Sequence, residues 1–337
     1  MFLPAEWHKQ EFVQLTWPHE ETDWAPILSE AIDCLRNIAC AISKYEPVLV
    51  VAHNKEAACE ALRGIENVTI VEIPTNDTWA RDHAFISCLD DKQRILLDFQ
   101  FNGWGLKFAS NFDNQINSNL FRSGLLKGVY ENHLDFVLEG GSIESDGLGT
   151  LLTTSSCLLA PNRNSTMNEA QIEAKLKELF NLDRVLWLHH GYLAGDDTDG
   201  HVDTLARLCS PDTIAYVSCT DTEDEHYAEL TAMEKELQAF RTKDNEPYRL
   251  IPLPLPHPVF EIEEGEEPFR LPATYANFLI INGAVLYPTY NQPDLDEVAR
   301  LQLQKAFPDR DIVGIDCSVL IRQHGSLHCS AMQYPLK

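Results

Sequence analysis

The apolar segments of this chain are short and alternate in kind, and this constrains the fold more than any other feature. Trp24 to Tyr45 repeats apolar residues at helical spacing (Ile27, Ala31, Leu35, Ile38, Ile42), and the PVLVVA that follows reads as a short buried strand. The exchange recurs along the chain. A helix near Lys55 to Leu62 precedes VTIVEI (68–73), and Phe85 to Leu89 and ILLDF (95–99) read as strands. DFVLEGG and GTLLTT read as a strand pair around a Ser-Asp-Gly turn, and NSTMNEAQIEAKLKELF reads as a capped helix with RVLWLH behind it. TIAYVS, a helix over roughly 224–241, YRLIPLPLP, FLIINGAVLYP and a helix from Pro293 to Phe307 complete the pattern, which is α/β in small units. No low-complexity linker divides the chain, and the acidic run EIEEGEEP (261–268) reads as a solvated loop, so residues 1–337 are expected to form one compact domain. No repeat is visible by residue identity, although the recurring elements allow one at the level of structure.

With 337 residues the chain can bury a large core without staples. Its formal net charge of -26 excludes a nucleic-acid backbone or an anionic membrane surface as the main partner and favours a small cationic ligand. The 9 cysteines are scattered and form no C-x-x-C pair, as expected of reduced, cytosolic thiols. The N-terminal stretch lacks the pattern of a secretion signal and no run is long enough to span a membrane, so a cytoplasmic protein is expected. The sequence leaves open whether the chain forms a homo-oligomer.

Four clusters combine turn residues with reactive side chains. In NDTWARDH (76–83), Asp77 and Asp82 with the face of Trp79 could hold a planar cation, since a carboxylate accepts paired N–H bonds and an indole attracts positive charge. The competing reading pairs Arg81 with a neighbouring Asp as a structural ion pair and puts Trp79 in the core; for Arg81 it is preferred. In LEGGS (138–142), Glu139 follows an apolar run, where a buried carboxylate either pairs with a cation or stays protonated; the alternative is an ordinary Glu facing water. GDDTDGHVD (195–203) would place His201 and Asp203 on one face if extended, as an acid–base pair or a cation site. A divalent metal competes there, but EF-hand and H-E-x-x-H spacings are absent, and a merely charged capping loop is the third reading. In HGSLHCSAMQYP (324–335), Cys329 lies in a Gly/Ser/His-rich segment where a thiol could act as nucleophile with a distant His201 as its acid–base partner. An inert buried thiol is the alternative.

Taken in order, WPHEETDW (17–24), NDTWARD (76–82), FNGWG (101–105), LEGGS (138–142), DTDGHVD (197–203), NGAVLYPTY (282–290), FPDRDIVGID (307–316) and HCSAMQYP (328–335) resemble the agmatine deiminases almost end to end. The bacterial peptidylarginine deiminases are similar in the same motifs, and both belong to the guanidino-group modifying (pentein) superfamily. The resemblance implies a five-bladed, pseudo-symmetric α/β propeller of repeated ββαβ units around a central pocket. It also implies hydrolysis of a guanidinium, in agmatine to N-carbamoylputrescine and ammonia, with neither cofactor nor metal. Carried over by position, the nucleophile falls on Cys329, the acid–base histidine on His201, the guanidinium-holding carboxylates on Asp82 and Asp203, the acidic partner on Glu139 and the tryptophan beside the substrate on Trp79. The glycine run usual before the His-Cys pair and the Thr-Gln usual after it are replaced here by Arg322, Gln323, His324, Gly325, Ser326 and by Ala331, Met332. A peptidylarginine deiminase, a hydrolase of another guanidino compound and a non-catalytic polyamine-binding protein are the alternatives.

Overall fold

A computed structural model describes residues 1–262 and 267–337. Part of the acidic run expected to be a solvated loop, residues 263–266, lies outside them.

The alternation of short strands and helices resolves into one unit used five times. In each, two antiparallel strands are followed by a helix and then by a third strand parallel to the second. Ile86–Leu89 pairs with Arg94–Gln100, and helix Asp113–Arg122 leads to Val129–Val137. Ile143–Ser145, Thr150–Thr154, helix Glu169–Phe180 and Arg184–Leu188 repeat the pattern. Ala206–Ser210, Thr213–Ser218, helix Tyr227–Ala239 and Arg249–Pro254 do so again, as do Leu279–Ile281, Ala284–Thr289, helix Pro293–Ala306 and Asp311–Asp316. The remaining unit is shared between distant parts of the chain. Ala331–Pro335 pairs antiparallel with Gln10–Trp17, helix Leu28–Ile42 follows, and Val48–Ala52 and Val68–Glu72 complete a four-stranded sheet.

Helices form where the spacing placed them, and one more, Asp113–Arg122, forms where it placed none. In Leu28–Ile42 the buried side chains include Ala31, Leu35, Ile38 and Ile42, packed with Val13, Leu15, Val48 and Val50 of the adjacent strands. Each buried aliphatic side chain contributes roughly 1.5–3 kcal/mol. Helix Glu169–Phe180 starts at a capping box, Asn168 with Gln171, and ends at Asn181 in the left-handed region.

The expected DFVLEGG/GTLLTT strand pair is not what forms. DFV ends the parallel strand of one unit and Ile143–Ser145 starts the hairpin of the next, with Gly140–Ser142 turning between them. FLIINGAVLYP likewise divides at Asn282-Gly283 into two paired strands.

Candidate active site

The short segment that enters the first strand of every unit runs to the same place. Asp82 precedes Ile86–Leu89, Glu139 and Gly141 precede Ile143–Ser145, and His201 and Asp203 precede Ala206–Ser210. Asn277 precedes Leu279–Ile281, and Cys329 precedes Ala331–Pro335. Residues far apart in sequence therefore meet because they hold equivalent positions in repeated units. All of them are buried.

His201 is fully enclosed, with Nδ1 3.6 Å from Asp82 and Nε2 3.9 Å from Glu139. Neither ring nitrogen has a hydrogen-bond partner. Burial pulls the imidazole pKa down, but the neighbouring carboxylate of Asp82, with Cys157 and Glu139, outweighs it and holds the ring well above the usual range, in its protonated form. Burial in turn raises the Asp82 carboxyl against the pull of His201. Its Oδ2 accepts from Trp104 Nε1 at 2.9 Å and its Oδ1 from the Gly141 N–H at 3.0 Å. The FNGWG motif serves that first bond: Gly103, Trp104 and Gly105 all have positive φ, and a Cβ on Gly103 would lie 2.2 Å from the Phe108 carbonyl oxygen.

Glu139 does not face water. The Arg163 Nε donates to both its oxygens, at 3.0 and 2.9 Å, while Arg163 also reaches Asp199 at 2.6 Å and the Thr198 carbonyl at 2.8 Å. Burial would raise the Glu139 carboxyl, but His201 and Arg163 together hold it below its ordinary value. Asp203 is likewise lowered despite burial, chiefly by His328, whose Nδ1 lies 2.7 Å from Oδ2. His328 Nε2 meets Glu6 at 2.8 Å, and Arg207 bonds Glu6 and Glu144, each at 2.5 Å, behind it. Burial and then the negative charges of Asp203 and Asp82 push the Cys329 thiol well above its ordinary pKa. Its Sγ lies 3.8 Å from Asp203 Oδ2 and 3.3 Å from Asn277 Nδ2.

The pocket over this thiol is walled by the rings of Trp79 and Trp104, floored by Asp82 and Cys329, and rimmed by Asp23 and Asp197. Trp79 is both core and wall, packing against Trp24 at 5.7 Å, with Gly325 pressed to its ring so closely that a Cβ would stand 2.3 Å from it. Among the described residues, neither lysine nor arginine lines the pocket.

Arg81 departs from expectation: it forms no ion pair with a neighbouring Asp. Its Nε reaches the His328 carbonyl at 3.4 Å and its Nη2 the Gln333 side chain, so it braces the backbone around Cys329 from behind. Asp77 accepts from Trp24 Nε1 at 2.9 Å and from the Thr78 N–H, so it orients the pocket wall. In GDDTDGHVD, Asp196 accepts from Thr198 and Gly200, and Asp199 from Lys107 and Arg163. Protein donors thus hold Asp196 and Asp199, whereas Asp203 Oδ1 is buried without a hydrogen-bond partner.

Glu139, Cys157 and His201 bring ligand-type atoms within 4.8 Å of one another, as do Glu6, Glu144 and His328. In both clusters an arginine already balances the carboxylates. A third set, His19, Glu21 and His53, lies nearer the surface. Cys157 is a second thiol beside His201; burial raises its pKa, and it does not line the pocket. Sequence reasoning missed Arg163 and Asn277. The signal that could have found Asn277 is its place just before the strand FLII, equivalent to that of Cys329 before AMQYP.

Against known proteins, the chain matches the Porphyromonas-type peptidyl-arginine deiminase family over residues 2–335. It is 32% identical over 353 residues to the agmatine deiminase of Pseudomonas aeruginosa (strain LESB58), covering 99% of this chain and 95% of that one. It superposes on a cysteine-to-serine variant of C. jejuni agmatine deiminase with substrate bound, with TM-score 0.92, 42% identity, and 99% and 95% of the two chains covered. A structure from Porphyromonas gingivalis, proposed to be an arginine deiminase, aligns with TM-score 0.93 and 53% identity over 99% and 98% of the chains. No helix of the described residues is long and apolar enough to cross a membrane.

Proposed function

The chain belongs to the Porphyromonas-type peptidyl-arginine deiminase family, and from that premise we propose that it is an agmatine deiminase. The observation that carries this reading is a buried thiol sharing with Asp82 a pocket that no lysine or arginine lines among the described residues, with Asp203 3.8 Å from the sulfur and the protonated His201 3.6 Å from Asp82. A guanidinium is planar, cationic and a poor electrophile. Asp82 and Asp203 accept its N–H groups and fix its plane, which leaves the central carbon over Cys329 Sγ between the indoles of Trp79 and Trp104. The arriving cation also offsets the two negative charges that hold the thiol protonated, so substrate binding itself favours the thiolate.

Cys329 loses its proton to solvent as the cation binds, and the thiolate adds to the guanidinium carbon, forming a C–S bond. His201 then gives its proton to the departing nitrogen, the C–N bond breaks and ammonia leaves, with a covalent amidino-cysteine remaining. His201, now neutral, takes a proton from a water that attacks the same carbon. The C–S bond breaks, the remaining hydroxyl proton passes through solvent to the departed ammonia as ammonium, the urea is released and the thiolate returns. Glu139, anchored by Arg163, keeps the histidine charged between turnovers.

The acidic rim suits the second cation of agmatine, whereas the α-carboxylate of free arginine would meet Asp23 and Asp197 with neither lysine nor arginine to receive it. We read residues 1–337 as one catalytic domain, its five units set as the blades of a pseudo-symmetric propeller of pentein type. The convergence of five equivalent segments on one site supports that arrangement. Nine unpaired cysteines are in keeping with a cytoplasmic enzyme.

The test is ammonia and ureido-product formation from agmatine, free arginine and a short arginine peptide, beside Cys329→Ala. Turnover of agmatine that is lost in the variant is expected. Turnover of the peptide alone would move the assignment to peptidylarginine, the second reading favoured by the family description. Binding of agmatine without ammonia release would leave only a polyamine-binding protein.

A further inference from the structure

Asn277 is what the Leu279–Ile281 unit contributes to the centre, and its side-chain amide is fully buried. Its orientation is set by its partners. Oδ1 accepts the backbone N–H groups of His328 at 2.9 Å and Cys329 at 3.3 Å, which can only donate. That leaves Nδ2 as the donor, 3.3 Å from Cys329 Sγ and 3.4 Å from the Asp203 carbonyl oxygen, while Oδ1 also lies 3.4 Å from the sulfur and accepts from the S–H until that proton leaves.

We propose that Asn277 is the positioning residue of the nucleophile: its carbonyl clamps the 328–329 backbone while its N–H donates to the sulfur once Cys329 has lost its proton. The inference rests on Cys329 being the nucleophile. The negative groups around the sulfur give such a donor its use, beside the Ser326 backbone, which also favours the thiolate. Asp203 and Asp82 both present negative charge to it. His328 is already engaged with Asp203 and Glu6, and the Tyr290 hydroxyl with Ser326 and the Thr274 carbonyl. A lysine or arginine here would steady the thiolate but would also neutralise the carboxylates that must hold the substrate. A neutral amide steadies the sulfur and leaves their charge intact.

The test reads the ionisation of Cys329 directly, by following its alkylation with iodoacetamide against pH through site-resolved peptide mass spectrometry. Asn277→Asp keeps an acceptor for the two backbone N–H groups but replaces the donor with a third anion. The alkylation midpoint is expected to rise by about one to two pH units, with kcat/KM at neutral pH falling roughly tenfold or more, while KM changes far less. Asn277→Ala removes donor and clamp together and should lose both the midpoint and the sharp melt. If neither variant melts cooperatively, the unmutated protein decides, because the Asn277 side-chain amide resonances should titrate with the Cys329 midpoint. An unchanged midpoint in folded Asn277→Asp, or an amide blind to that titration, overturns the proposal. Because alkylation needs no turnover, failure of the proposal is distinguishable from failure of the agmatine reading.

Discussion

Gly141→Ala offers the sharpest test of whether the cluster of His201, Asp82 and Asp203 is the reacting centre. The backbone of Gly141 does not lie in the left-handed region, so alanine brings no conformational strain of its own. What it brings is a methyl group among the three side chains. The new carbon would stand 2.6 Å from His201 Nδ1, 2.9 Å from Asp82 Oδ1 and 3.1 Å from Asp203 Oδ2. Ordinary contact begins near 3.4 Å, so the imidazole must retreat by roughly 0.8 Å and the carboxylates by a few tenths each. Overpacking of this kind costs about 1–3 kcal/mol, which lowers Tm by a few degrees and leaves the protein folded at assay temperature. A misplacement approaching 1 Å among reacting groups costs on the order of a hundredfold in rate. The expected outcome is therefore a kcat/KM for agmatine about two orders of magnitude down beside a nearly intact melting curve, read by ammonia release and calorimetry. A variant within threefold of wild type would show that chemistry does not pass between these side chains.

Three more outcomes follow from the charges. Cys157→Ala should retain most of the turnover that Cys329→Ala abolishes, since Cys157 touches His201 but does not reach the pocket; equal loss in both would move the nucleophile. The pH profile of kcat/KM should be a bell shifted to the alkaline side, its rising limb set by Cys329 and its falling limb by His201, both of which are raised; an optimum on the acid side of neutrality would contradict this. Asp113, whose Oδ2 is buried without a partner, has its carboxyl pushed up by burial to about 8. An unfolded aspartate titrates near 3.9, so between about pH 4 and 8 the folded state binds the extra proton and stability falls as pH rises, by on the order of a few kcal/mol in all. Asp113→Asn should flatten that part of the Tm profile, and an unchanged slope between pH 5 and 8 would contradict it.

The sequence carried the candidate site where a residue type announces its chemistry, and lost it where the type is common. His201, Asp203, Glu139, Asp82 and Cys329 stand out because reactive side chains sit among glycines at the ends of apolar runs. Asn277 in YANFLI reads as an ordinary turn residue, because an asparagine before a strand has many bland uses. Arg163 lies in a polar loop far from Glu139 in sequence, and only the folded chain brings the two together. Arg81 was misjudged for the same reason, since its partners near residues 328–333 come from the other end of the chain. Strand and helix spacing located most elements, but it ran the strand DFV on through Gly140–Gly141. An apolar run bears no mark of where the backbone turns inward to present a carboxylate. The fivefold unit itself left no trace in residue identity, because what repeats is a pattern of pairing that many apolar residues satisfy.

The sheet shared by Gln10–Trp17 and Ala331–Pro335 joins segments 320 residues apart in sequence. While the ribosome works, the carboxylates, the histidine and the asparagine can take their places before the thiol exists. On the proposed reading, such a nascent chain holds the cage for a cation before it holds the nucleophile. Because that pairing spans most of the chain, its closure should also come late in refolding from denaturant. On the proposal that Cys329 is the nucleophile, reactivity follows the cage, and a reporter of the Cys329 thiolate doubles as a reporter of this closure.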